Sequence, residues 1–204
     1  MKNTMIFSCI LMILSCNKIE ETKQNLSKSV TEKAIEAVSG MEIDTYDVEN
    51  ADKNSVEVDL KSDDLDFESK FKNGFGTVTA TKETIAITVS AGENSEKNIL
   101  IGFTGKDLTT QKPIIGKMNN SEGNSMSFST TDFANNGMDA MISFEAEGEI
   151  QKISDQKVVI SVKGKLGYPA DTENPEKWKS YEGIITLNYP VFQAIGSSKE
   201  DFTY

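Results

Sequence analysis

The sequence predicts a mainly β fold, either an antiparallel β-sandwich or an up-and-down barrel, with one short N-terminal helix. Three observations lead there. Seven runs alternate apolar with polar or small residues at period two, turn-forming glycines and asparagines lie between them, and the one helical signature falls before residue 40.

The first fifteen residues stand apart from the fold. Lys2 gives a positive start, Ile6 to Leu14 an apolar stretch, and Ser15 a small residue before Cys16. This is the three-part grammar of an export signal, too short to span a bilayer, which takes ~20 apolar residues. The stretch Ile13-Leu14-Ser15-Cys16 resembles a lipobox, the processing site of bacterial lipoproteins. That resemblance implies that the chain is cut before Cys16, that its thiol is diacylated, and that the new N-terminus is acylated. Behind it, Asn17-Lys18-Ile19-Glu20-Glu21 resembles the signal that carries lipoproteins of some Gram-negative phyla to the outer face of the outer membrane. The same residues also read as an ordinary charged tether. The resemblance implies an outer-membrane, lipid-anchored protein, at the cell surface or otherwise on the periplasmic face.

The segments follow as 1–15 signal peptide, 16–28 lipidated cysteine and flexible polar tether, and 29–204 a single β-rich domain. Ser29-Val30-Thr31-Glu32 fits a capping box, and Val30, Ala34, Ala37 and Val38 follow at helical spacing as far as Gly40. This predicts a helix over 29–39. The alternating runs are Val56/Val58/Leu60, Ile85/Ile87/Val89, Ile99/Ile101/Phe103, Met126/Phe128, Ile142/Phe144/Ala146, Val158/Ile160/Val162 and Ile185/Leu187/Tyr189. Each places one face in a core and one in water, as in antiparallel sheets. With weaker runs at 41–48 and 75–81, about nine strands are expected. Asn73-Gly74, Ala91-Gly92-Glu93-Asn94, Ser121-Glu122-Gly123-Asn124 and Asn136-Gly137 supply the turns.

Composition excludes several chemistries. Histidine is absent and all 21 basic residues are lysines. The two cysteines are Cys9, inside the signal, and Cys16, so the mature domain has no disulfide, and Ser-His-Asp, Cys-His and histidine-ligated zinc chemistry are all ruled out. Without arginine, bidentate phosphate or guanine recognition is lost too. A net charge of −11 repels nucleic acid at long range.

Three constellations remain. The acidic stretch 41–69 includes Asp63, Asp64 and Asp66, an oxygen-rich cluster of the kind calcium takes. An EF-hand loop starting at Asp47 fails, with Asp52 where glycine belongs and Val58 where glutamate does. The stretch therefore reads as a solvated acidic face, and no metal site or cofactor is assigned. The segment from Gly167 to Trp178 is longer than a hairpin needs and holds the single tryptophan. Tyr168, Trp178 and Tyr181 suggest an aromatic platform for a sugar ring; the competing expectation is that Trp178 plugs the end of the core, its indole N–H bonded to a loop carbonyl. Last, 32 acidic residues make some carboxylate pair inevitable, so a glycosidase pair is not singled out, and no catalytic residue is assigned. The expectation is a non-catalytic, lipid-anchored binding or accessory module, held to the membrane through Cys16, for a glycan or protein partner. The alternative is a calycin-like carrier with an apolar ligand inside a barrel. Bulky inward positions at Phe103, Phe128, Phe144, Ile160 and Leu187 favour a filled interior.

Overall fold

A computed structural model describes residues 43–45, 48–62, 64–92, 95–106, 108–133 and 137–204. The signal peptide, Cys16, the tether and the helix expected at 29–39 lie outside the described residues. Among those described, the chain is mainly β: β1 (Ile43–Thr45), β2 (Ser55–Ser62), β3 (Phe75–Thr81), β4 (Thr84–Ala91), β5 (Lys97–Thr104), β6 (Ile114–Lys117), β7 (Ser125–Asp132), β8 (Asp139–Ile153), β9 (Lys157–Gly167), β10 (Lys179–Asn188) and β11 (Val191–Ile195), with one α-helical turn, α1 (Phe67–Lys70), and four short 3-10 segments. All nine expected runs form strands. The sequence reading missed β6 and β11.

The strands form one sheet in the order β1-β11-β3-β4-β5-β7-β8-β9-β10-β2, with β6 on β8. All pairings are antiparallel except β11 with β3, so the sheet is mixed. The sheet curls until β2, at one end of the order, meets β3. The Asn54 side chain, just before β2, accepts from the Gly76 N–H at 2.8 Å and donates to the Gly76 carbonyl at 2.9 Å. A Cβ on Gly76 would lie 2.3 Å from Leu187 Cδ2, so only glycine admits this approach. β11 then pairs with the part of β3 beyond that clasp.

Alternation decides which side is dry. Val78, Ile85, Ile87, Ile99, Ile101, Phe103, Ile150, Ile160, Ile185 and Leu187 are completely inaccessible and belong to one core cluster. A side chain that a water-sized sphere cannot touch does not border a water-sized void, so these inward positions are packed solid. One end is stopped by Phe67 and Phe71 of α1 and its C-cap, the other by Leu108 and the C-terminal Phe202. At that second end the Ile153 and Tyr204 backbones exchange hydrogen bonds, and the Tyr204 hydroxyl accepts from Ile114 N–H at 3.0 Å while donating to the Ile150 carbonyl.

Candidate functional site

With the interior filled, the outer face of the wall holds the concave surface that the strands leave open. In β8 the register slips between Ser143 and Glu145, so Phe144 is the extra residue of a bulge. Across from it Gly164 leaves room, since a Cβ there would lie 2.0 Å from the Glu145 carbonyl oxygen. Beside this bulge lies a groove of about 710 Å³ whose lining includes Phe144, Met118, Glu182, Lys163, Glu147 and Ser180.

The strand register fixes its chemistry. Lys61 of β2 sits opposite Glu182 of β10, Glu182 opposite Lys163 of β9, Lys163 opposite Glu147 of β8, and Glu147 opposite Lys117 of β6. Five strands thus carry one row of alternating sign. A second, shorter row runs Ser180, Lys165, Glu145. Ion pairs form within the rows at Lys163–Glu147 (3.5 Å) and Lys165–Glu145 (3.1 Å). All four partners are substantially exposed, where such pairs contribute only ~0–1 kcal/mol and leave the side chains free to exchange partners.

The structure separates the three aromatics of the expected platform: Tyr181 is among the residues lining the groove, whereas Tyr168 and Trp178 are not. Tyr181 is only 2% exposed; it points into the barrel, stacks on Phe128 at 4.4 Å between ring centroids, and shares a 2.9 Å hydrogen bond with Ser143 Oγ. Burial pushes its phenol up to about 12, against a smaller opposing pull from Ser143. Trp178 lies on the outer face instead, half-buried, stacked on Phe144 at 4.5 Å above Gly167. Its indole N–H donates to the Asp171 carbonyl at 2.8 Å, the loop-carbonyl bond expected of a plug, but the ring covers the side of the wall rather than the end of the core. Tyr168 is exposed, its phenol pushed up by burial and by a hydrogen bond to Asp139. Lys177 bonds Asp171 at 2.8 Å and bridges that loop to itself.

Phe144, which the sequence assigned to the interior, is the residue that joins these features. It lines the groove on one side and carries Trp178 on the other. From it an apolar track continues along the outside of β8 and β7 through exposed Ile142, Met138 (69% exposed) and Phe133, with Leu100 one strand further. This exposed apolar surface borders the groove at Phe144. The acidic candidates Asp64 and Asp66 are otherwise engaged: Asp64 pairs with Lys179 at 3.4 Å, and Asp66 caps α1 through Ser69 N–H; Asp63 lies outside the described residues. Among the described residues no cluster of acids has the arrangement of a metal site.

Comparison with known protein families, curated proteins and solved structures finds no match to this chain.

Proposed function

We propose that the protein is a lipid-anchored cell-envelope module that binds a glycan or protein partner, without catalysis, on the outer face of its barrel. The observation that carries this reading is the groove beside Phe144, set on a wall whose interior is too tightly packed to hold cargo. That packing supports surface binding over the calycin-like carrier. The wall also carries Lys61, Glu182, Lys163 and Glu147 outward, the reverse of the apolar outer band that a membrane-spanning barrel needs.

Chain direction supports the display geometry. Ile43 pairs with Ile195, at the end of β11, whereas the 168–178 loop joins the end of β9 to the start of β10, at the opposite end of the antiparallel wall. With an anchor on Cys16, entry of the chain into the wall at Ile43, the end opposite that loop, supports display of the loop away from the membrane. The test is metabolic palmitate labelling of wild type and Cys16→Ser, combined with glycan and surface-protein arrays probed with the purified chain. Labelling that depends on Cys16 and array binding that Phe144→Ala removes are expected. Labelling unchanged in Cys16→Ser excludes the anchor, and array binding indifferent to Phe144 excludes the groove.

A further inference from the structure

Resting on the reading of the groove as the binding site, we infer that its ligand is a neutral, hydroxyl-rich glycan chain lying across the strands along the Lys61–Glu182–Lys163–Glu147–Lys117 row. The row alternates pure hydrogen-bond donors, the ammonium groups, with pure acceptors, the carboxylates. A sugar hydroxyl both donates and accepts, so a chain of sugars satisfies such a row at every step. Neighbouring strands lie ~4.8 Å apart, which places a donor or acceptor at short, regular intervals beneath the chain. Ser180 and Asn119 add neutral partners at the groove's edge.

Charge selects against the competing ligands. The groove holds four lysines, Lys61, Lys117, Lys163 and Lys165, against three glutamates, Glu145, Glu147 and Glu182, in a chain of net charge −11. A polyanionic glycan meets only one excess positive charge in the groove, against the long-range repulsion of the chain as a whole. A peptide partner draws its affinity from aromatic or arginine anchors sunk in dry pockets, whereas seven charged side chains line this groove beside Phe144, Met118, Ala146 and Tyr181. The apolar wall completes the fit. Phe144, braced from behind by Trp178, presents a rigid ring to the C–H face of a pyranose, and Met118, packed against the core, lines the groove from the β6–β7 connection.

The experiment is titration of the full chain with cello-, xylo- and manno-hexasaccharides and with oligogalacturonate of equal length, at 50 and 500 mM salt. Binding to at least one neutral hexasaccharide is expected, with an affinity that changes less than twofold between the two salt concentrations. Glu182→Ala and Lys163→Ala each weaken it by about fivefold, the loss of one hydrogen bond, and Phe144→Ala by tenfold or more with the fold intact by circular dichroism. Preference for oligogalacturonate with a steep salt dependence overturns the neutral class and leaves the groove as the site. Binding to none of the saccharides overturns the glycan assignment, while the anchor, judged by palmitate labelling, stands or falls separately.

Discussion

Replacing Tyr181 with phenylalanine separates a buried structural tyrosine from an exposed ligand-binding one through the pH dependence of stability. The hydroxyl shares one hydrogen bond with Ser143, itself buried. Tyr181→Phe leaves Ser143 Oγ without that partner and costs about 1 kcal/mol at neutral pH. The sign reverses in alkali. In the folded protein the phenol titrates at about 12 rather than 10, so between these values the unfolded chain loses its proton while the folded one retains it. The stability contributed by the neutral buried phenol is fully present below pH 10 and is lost as pH rises through 12. Two pH units correspond to about 2 to 3 kcal/mol, more than the hydrogen bond contributes. Urea unfolding of both proteins from pH 8 to 11.5 should therefore give stability curves that converge above pH 10 and meet at about pH 11. The other tyrosines and the lysines titrate alike in both proteins and cancel in the difference. A constant difference across the whole range would show that Tyr181 ionises as it does in water and that its ring is not enclosed.

Two further outcomes follow from the wall itself. Trp178→Ala should lower the unfolding free energy by about 1–2 kcal/mol, the loss of one aromatic stack and part-buried area; a drop of ~3–5 kcal/mol, typical of core truncation, would return Trp178 to the core. Asn54→Ala removes both hydrogen bonds to Gly76 and should cost about 1–3 kcal/mol with faster amide exchange at Gly76, whereas unchanged exchange would mean that the clasp does not hold the barrel shut.

The strands were legible because alternation reports burial directly: Val56, Val58 and Leu60 face inward and Glu57, Asp59 and Lys61 outward, as their order in the chain requires. β6 was hidden because Ile114-Ile115-Gly116-Lys117 is too short to alternate, although its Ile114 is fully buried and its Ile115 half-exposed. β11 was hidden for another reason. It follows Pro190 directly and pairs in parallel with β3, a contact between distant parts of the chain that no local pattern encodes. The choice between sandwich and barrel was equally out of reach, since it depends on Asn54 meeting Gly76 across 22 positions.

The candidate site shows where period-two reasoning fails and why that failure is informative. Ile142, Phe144 and Ala146 were read as one inward face, yet Ala146 is buried while Ile142 and Phe144 look outward. The slip at Ser143/Glu145 breaks the alternation between them. A run of three apolar residues at period two cannot reveal a bulge, because the extra residue changes the direction of the side chains without changing their spacing in the sequence. Gly164 and Gly167 were the available signals: two glycines within the β9 run, opposite the bulge, mark a place where another backbone or an aromatic ring comes close. A bulge that turns Phe144 out of an interior already packed solid sets its ring against Trp178 and beside the groove. The ring is therefore better explained by what it meets outside the barrel than by what it leaves inside, which is why Phe144, rather than the lone tryptophan stacked behind it, is the first residue to change when binding is assayed.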